Sequence, residues 1–364
     1  MANAITSVSI KDFLVFKGEF TAEFCPGVNV LIGGNGSGKT TLMKAIYKLC
    51  SNKIDRTRTE EYFYSAGRTH MEFKHRPFEF LRMQVSTDNG TSRISVRSLH
   101  YGRFEDREKP VNGKSMYKDD FTGLYEAKYY SENELVFTTE NFEPLPSIFI
   151  PVTDLLTSSK GLLEMIDAYE MDFDAIQVDI LRNAQRPATR ELKPNCSKVI
   201  DQLSNLINGE VYFEEGIFYV RKKTGRIVRF AVEASGLKRL SLLWKLLRNG
   251  LLESGTVLFW DEPEASINPE LIPALVDILL ELQRGGVQIF IATHSYDVAR
   301  WFELNKTPEN SLRYFNMRKE DDGIVADVAD DYISLPNSVI EDAGNKLLRR
   351  VTQVAAEKAG VTLN

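Results

Sequence analysis

Residues 28–46 read VNVLIGGNGSGKTTLMKAI, and this stretch decides the fold. Val28 to Ile32 is a β-branched apolar run that predicts a buried strand. Leu42, Ala45, Ile46 and Leu49 share one face of a helix that begins after the glycines. Strand, glycine-rich loop and helix start together make an anion cradle. The glycines let successive backbone N–H groups converge on phosphate oxygens, and the helix dipole favours negative charge. Gly33, Gly34, Asn35, Gly36, Ser37, Gly38, Lys39, Thr40 and Thr41 are therefore the expected nucleotide-binding residues. Lys39 is expected to reach the β- and γ-phosphates, and the Thr40 hydroxyl to bind Mg²⁺. A glycine-rich turn with an accidental Gly-Lys-Thr would lack the flanking strand and helix.

Working outward, Ile5 to Val30 alternates short apolar runs with Lys-Gly and Pro-Gly punctuation, which predicts a small antiparallel arrangement feeding the loop strand. Far downstream, Val257-Leu258-Phe259-Trp260-Asp261-Glu262-Pro263-Glu264 is a buried strand that ends in acids. Asn268 is placed to cap a helix starting at Pro269, with Leu271, Leu275, Ile278 and Leu282 inside and Gly285-Gly286 as its stop. Val287 to Ala292 is another buried strand, ending at Thr293-His294-Ser295. Buried strands alternating with amphipathic helices imply a parallel sheet whose ligand site lies at the strands' carboxyl ends. The loop, the acids and His294 all fall there.

Phosphoryl transfer to water needs a charged cradle, a metal, and a group that orients or deprotonates the water. Lys39 supplies the cradle's charge. Thr40 and Asp261 are the candidate metal residues, Asp261 through metal-bound water. Glu262 is the candidate base for the attacking water, and His294 is placed to hydrogen-bond the γ-phosphate or that water. Just upstream of the acids, Glu233-Ala234-Ser235-Gly236-Leu237-Lys238-Arg239-Leu240 starts a helix. Ser235 is its expected N-cap, Leu237, Leu240, Trp244 and Leu247 its buried stripe, and Asn249-Gly250 its end.

The remaining chain is less regular. Residues 51–151 mix charged and aromatic residues with short apolar runs and predict a β-rich lobe, including a hairpin around Asp88-Asn89-Gly90. Basic and aromatic residues between His70 and Arg107 read as a solvated β surface or a nucleic-acid face. Asp154 to Ile207 has helical spacing broken at Pro187 and Pro194, too interrupted for a long coiled coil. Its Arg182, Arg186, Arg190 and Lys193 are spaced to form one basic stripe, either a solvated face or a contact surface. Three strands are expected at 211–213, 217–220 and 227–232, a hairpin at Asp321-Asp322-Gly323, and a terminal helix after the capping box Ser338-Val339-Ile340-Glu341. Asp327, Asp330 and Asp331 read as a solvated turn. The domain division this implies is a nucleotide-binding core of 1–50 and 209–335, an inserted β-rich then helical lobe of 51–208, and a carboxy-terminal helix of 336–364.

Composition sets bounds on function. With 43% hydrophobic and 26% charged residues the chain is that of a globular protein, and a net charge of −6 argues against a surface basic throughout. Cys25, Cys50 and Cys196 are far apart with no Cys-x-x-Cys pair, so no disulfide framework or zinc knuckle is indicated and a reducing compartment fits. No apolar run approaches the roughly twenty residues that span a bilayer. A cytoplasmic protein is expected, with no membrane partner.

With Gly33–Thr40, Ser235-Gly236, Val257–Glu262, Ala265–Asn268 and His294 in this order, the chain resembles the ATP-binding-cassette superfamily. The resemblance is to its soluble branch of SMC and RecF heads, and most of all to the OLD-like, AAA15/AAA21-type prokaryotic defence ATPases. It covers about residues 5–50 and 230–302. It implies an α/β P-loop NTPase of ATP-binding-cassette type, a mixed sheet with helices on its faces and an inserted lobe. In that pattern the segments named are Walker A, signature, Walker B with its catalytic Glu, D-loop and switch histidine. It also implies ATP and Mg²⁺ as ligands and homodimerisation, Ser235 and Gly236 of one copy meeting the γ-phosphate held by the other. The signature EASGLKR departs from the transporter form, and Asn268 stands where transporters carry Asp. Gln84 is the candidate Q-loop glutamine, with an ordinary strand residue as the alternative.

Three functions compete. The leading one is an ATP-hydrolysing head that dimerises around ATP and couples closure to sensing nucleic acid or controlling a separate effector such as a nuclease, in anti-phage defence. The others are a RecF-like DNA-repair or chromosome-maintenance ATPase and a slowly hydrolysing, ATP-dependent oligomeric scaffold.

Overall fold

The hydrophobic runs resolve into elements that follow the chain. The amino-terminal part forms β1 (Ile5–Phe13), β2 (Phe16–Glu23), β3 (Val28–Ile32) and α1 (Lys39–Cys50). Next come β4 (Leu81–Thr87), β5 (Gly90–Ser98), β6 (Ser115–Asp119), β7 (Gly123–Ala127), β8 (Asn133–Glu140) and β9 (Ser147–Ile150). Three helices follow, α2 (Leu162–Tyr169), α3 (Ala175–Gln185) and α4 (Pro194–Leu206), then β10 (Gly209–Glu214), β11 (Ile217–Lys222) and β12 (Ile227–Arg229). The last part is α5 (Ser235–Arg248), β13 (Val257–Asp261), α6 (Ile272–Arg284), β14 (Gln288–Thr293), α7 (Tyr296–Asn305), β15 (Leu312–Glu320) and β16 (Gly323–Ala329). The computed structural model describes residues 4–50, 81–88, 90–98, 115–119, 123–127, 133–140, 144–169, 171, 173–321, 323–336, 341, 346 and 349–355; between 81 and 140 it describes side chains only at 86–88.

The centre is a six-stranded sheet of order β16-β15-β3-β14-β13-β9. β9, β13, β14, β3 and β15 run parallel, and β16 returns antiparallel to β15. Every residue of β3, β13 and β14 is buried, as the continuous apolar runs predict for strands covered on both faces. Alternation sorts their side chains. Val28, Val30, Ile32, Leu258, Trp260, Ile289 and Ile291 pack against α3 to α7 on one face. Leu31, Val257, Phe259, Phe290 and Ala292 pack on the other, against α1 and strands β1 and β2. On that second face Phe149, Phe259 and Phe290 stack across three strands, with centroids 6.0 and 5.0 Å apart. Each fully buried side chain of this size contributes roughly 1.5–3 kcal/mol.

A second, antiparallel sheet has the order β2-β1-β4-β5-β8. The stretch 51–208, expected as an inserted lobe, contributes β4, β5 and β8 to this sheet and β9 to the edge of the central one. The β4–β5 hairpin is the one expected at Asp88-Asn89-Gly90. α4 begins at Pro194, where a proline costs nothing because the first helical N–H has no partner anyway. The expected basic stripe does not form on one helix. Arg182 lies on α3 and pairs with Asp167, whereas Lys193 is the N-cap of α4 and pairs with Glu253. Pro187 and Pro194 break the helical period that would have aligned them. Asp330 pairs with Arg313, Asp327 with Arg318, and Asp331 bonds Ser334 in a turn, so these acids are structural. Residues 341, 346 and 349–355 are helical; Ser338 and nearly all of 70–107 outside β4 and β5 lie outside the described residues.

Two amides tie the amino-terminal sheet to the centre. Buried Gln288 on β14 accepts the Ile5 N–H at 2.8 Å and donates to the carbonyls of Ile5 (2.9 Å) and Cys25 (2.8 Å). Asn29 on β3 bonds both the N–H and the carbonyl of Cys25, each at 2.9 Å. Gln288→Leu would strip this partner from the Ile5 N–H and carbonyl, while the Cys25 carbonyl keeps its bond from Asn29, and should cost about 2–4 kcal/mol. It should appear as a lower urea midpoint at unchanged m-value. A loss under about 0.5 kcal/mol would mean that another group replaces the amide.

Candidate nucleotide-binding site

Register gathers the site. Ile32 of β3 is level with Thr293 of β14, and Ala292 with Asp261 of β13. The residues that follow these strand ends, Gly33, His294 and Glu262, therefore emerge at one edge of the sheet. The loop before α1 turns with Gly36 and Gly38 at φ +76° and +87°, left-handed values that side chains disfavour. No heavy atom lies within 4 Å of where a Cβ on Gly34 or Gly36 would stand, so that side of the loop is open for phosphate.

Lys39 is buried, and its Nζ donates to the carbonyls of Gly33 (2.8 Å) and Gly34 (2.9 Å). Burial lowers its pKa to about 8, against the pull of Asp261, Glu262 and Glu264 in the opposite sense. The Thr40 hydroxyl lies 2.9 and 3.0 Å from the two oxygens of Asp261. Burial raises the Asp261 pKa, the Thr40 bond counters it, and neighbouring Glu262 adds to the rise.

Glu262 has φ +46°, a conformation that costs a non-glycine residue on the order of 1–3 kcal/mol. Its N–H donates to the Ala292 carbonyl at 2.8 Å, which holds the turn in place. Its carboxylate lies 3.4 Å from His294 Nε2, and the two side chains are 37% and 35% exposed. That exposure leaves both within reach of water.

Two charged residues join the site that sequence reasoning had not assigned. Glu264 Oε1 accepts from the Thr293 hydroxyl at 2.5 Å and from the His294 N–H at 3.3 Å, which fixes the end of β14. Its Oε2 is buried without a hydrogen-bond partner among the described residues. Arg239 of α5 donates to the Val152 carbonyl at 2.8 Å, and burial lowers its pKa despite Glu264, Glu262 and Asp261 nearby. Both stood inside quoted motifs, Glu264 after the Asp-Glu pair and Arg239 in EASGLKR. Nothing in their spacing distinguishes them from solvated charges.

The expected N-cap is corrected. Helix α5 begins at Ser235 itself and Ala234 is the capping residue, with no side-chain bond. The extended turn after Phe230–Val232 puts the boundary one residue earlier, which leaves the exposed Ser235 in the first helical turn. Gly236 is buried, and a Cβ there would stand 2.7 Å from the Ser266 carbonyl oxygen. Glycine therefore lets α5 touch the turn that follows the acids. Asn268 caps the short turn Pro269–Leu271 as expected, accepting the Glu270 N–H, and α6 follows it. No hydrogen bond joins Ser235 or Gly236 to Gly33–Thr41 among the described residues. Gln84 is a β4 residue opposite Ser9 and Arg93, and its side chain lies outside the described residues.

The donor set fits the expected ligands. A hydroxyl and one carboxylate, with no group of three or more His, Cys, Asp or Glu that could hold a metal among the described residues, suit Mg²⁺, which keeps waters and takes phosphate oxygens as its other ligands. Thr40 and Asp261 would hold it.

The family described as "AAA domain, putative AbiEii toxin, Type IV TA system" matches residues 28–299. The chain belongs to this family. The match begins at β3 and ends in α7, so it contains every residue of the site. The chain is also similar to the DNA replication and repair protein RecF of Bifidobacterium longum subsp. infantis, 30% identical over 105 residues, which is 29% of this chain and 23% of that protein. It is similar to the arginine transport ATP-binding protein ArtP of Haemophilus influenzae, 35% identical over 72 residues, 20% of this chain and 28% of that protein. The chain thus spans less than a third of either relative. Among solved structures it resembles the Smc head domain of Pyrococcus furiosus bound to the C-terminal domain of ScpA, with a TM-score of 0.52 at 10% identity, over 96% of this chain and 100% of that one. At that identity the likeness is one of fold, the P-loop NTPase fold of ATP-binding-cassette type. The expected fold class and its P-loop ATPase family are therefore those of this AAA-domain protein.

Because Lys39 titrates at about 8, ATP affinity should fall above that pH as the ammonium is lost, by up to tenfold per unit. A fluorescent ATP analogue titrated from about pH 6.5 to 9.5 measures this. Affinity flat across that window would exclude Lys39 as the titrating phosphate ligand.

Proposed function

We propose that this chain is an ATP hydrolase in which two copies close over two ATP molecules, and that closure controls an effector in anti-phage defence. The observation that carries the reading is the convergence of the loop, the Thr40–Asp261 bond and the Glu262–His294 pair at one edge of the parallel sheet. Loop N–H groups and Lys39 bind the phosphates and neutralise their charge. Mg²⁺, when bound, supplies electrostatic stabilisation of the transferring phosphoryl group. Glu262 takes the proton of the attacking water, and its strained turn aims the carboxylate beyond the end of the sheet. His294 orients the same water or the γ-phosphate, while Glu264 fixes its backbone.

Ser235 and Gly236 are the proposed contact to the nucleotide of a second copy. An exposed hydroxyl on the first turn of a helix, beside open N–H groups, suits a γ-phosphate oxygen. The family description, "putative AbiEii toxin, Type IV TA system", supports a defence role; a separate effector, such as a nuclease, is our own addition to that reading. The RecF matches support a second reading, an ATPase of DNA repair or chromosome maintenance. We place the protein in the cytoplasm, where three unpaired thiols persist; among the described residues no helix is long and apolar enough to cross a membrane. We assign β9 and α2 to α4 to the nucleotide-binding core with 1–50 and 209–335, which leaves the inserted lobe between α1 and β9. The proposed carboxy-terminal helix keeps the bounds 336–364, and its described residues 341, 346 and 349–355 are helical.

Glu262→Gln should retain ATP binding and lower kcat by about 10²–10⁴-fold, measured by phosphate release. Lys39→Ala should lose ATP binding in equilibrium titration. A normal hydrolysis rate in Glu262→Gln would place the base elsewhere.

A further inference from the structure

The run Arg221-Lys222-Lys223-Thr224-Gly225-Arg226-Ile227-Val228-Arg229 holds five bases and no acid in a chain of net charge −6. It forms the end of β11, a turn, and β12, within a three-stranded sheet of order β10-β11-β12. Directly opposed residues in antiparallel strands share a face. Val211, Val220 and Val228 are one such row, and Val211, Val220 and Phe218 are buried, which makes theirs the core face. Tyr212, Tyr219 and Arg229 form a row on the other face, and Glu210, Arg221 and Ile227 form the next.

That outer face has the chemistry of a nucleic-acid surface. The two tyrosine rings stack with centroids 5.4 Å apart at 18°, and the Arg221 guanidinium lies 5.0 Å from the Tyr212 centroid. Ile227, an apolar side chain, is 55% exposed beside them. The cations are also unspent. Arg182, Arg284, Arg313 and Arg318 each have a carboxylate partner, and Lys222 is held by Glu233 and the Ile207 carbonyl. Arg221, Arg226 and Arg229 have no ion pair among the described residues, and Arg221 takes the Tyr212 ring although Glu210 stands opposite it. Glu210 and Glu214 confine the acid of this face to β10, so the basic track follows β11 and β12.

We infer that this track binds single-stranded nucleic acid. Arg221, Arg226 and Arg229 take backbone phosphates, and Tyr219, which no cation covers among the described residues, continues its stack with one base. Unpaired bases expose the ring faces that a duplex hides, and stacking on an aromatic side chain is tolerant of sequence. β12 runs through Phe230–Val232 directly into Ser235, so an occupied track lies at the root of α5. The assignment deepens the proposed function by naming what is sensed, and it rests on that reading for its consequence at α5 but not for the binding itself.

The test is fluorescence anisotropy of the full chain, without ATP, on a labelled single-stranded oligonucleotide of about 20 nucleotides and on its duplex, across a salt series. The single strand should bind more tightly. The double variant Arg221→Glu/Arg229→Glu should weaken binding more than tenfold and reduce the salt slope by roughly 1.4, about 0.7 for each lost phosphate contact. Tyr219→Ala should weaken it about tenfold with the slope kept. ATP affinity should stay at the wild-type value in all of these. Absence of single-strand binding by the wild type, variants that bind as it does, or a preferred duplex indifferent to Tyr219→Ala would each overturn the assignment. Oligonucleotide binding that follows the predicted pattern in a chain that fails to bind ATP would support the track and count against the nucleotide reading alone.

Discussion

The in-register parallel pairing of β3, β14 and β13 is the constraint on which the rest depends. It brings three strand ends to the same level, so the phosphate loop, Glu262 and His294 meet although they are far apart in sequence. A slip of one residue would turn Trp260, Phe259 and Phe290 to the wrong faces and separate the site as well. The same pairing holds Glu262 in its left-handed turn, because the N–H it donates goes to Ala292 of the neighbouring strand. Strain at the acid is thus sustained by the buried sheet behind it.

Much of this was legible in the residues alone. Continuous apolar runs could only be strands buried on both faces, and the glycine spacing of the loop matches one use, phosphate binding. Capping signals at Asn268 and stops at Gly250 and Gly285-Gly286 were local, and the structure bears them out. What depended on partners distant in sequence was hidden. Phe149-Ile150 has no turn or period that announces an edge strand of the central sheet; only pairing with β13 reveals it. Ser235 had cap chemistry, but the chain's approach through Phe230–Val232 put the helix start one residue earlier. Glu264 looked like one more acid until Thr293 and His294 were seen to donate to it. The aromatic and basic face of β10 to β12 required the strand register, since neither tyrosine is adjacent to the basic run.

The parts are mechanically joined. Gly236 seats the start of α5 on the turn that follows Glu262, and Arg239, one helical turn on, lies among that site's carboxylates. Whatever moves α5 therefore acts on the acids. The proposed second copy would reach α5 at Ser235, and the proposed nucleic-acid track ends at the same helix. A shift of a few kcal/mol in the preferred position of α5 is enough to switch such an element between two states.

In the proposed assembly each chain carries half of two sites, and mixing two disabled chains puts that sharing to the test. Ser235→Arg spoils the half offered to a partner, and Lys39→Ala spoils the half that holds phosphate. Alone, each variant should be inactive. A mixed pair should contain one intact site, formed by Lys39 of one chain and Ser235 of the other, so ATP hydrolysis should return on mixing. Activity no greater than the sum of the separate variants would contradict a site shared between two copies.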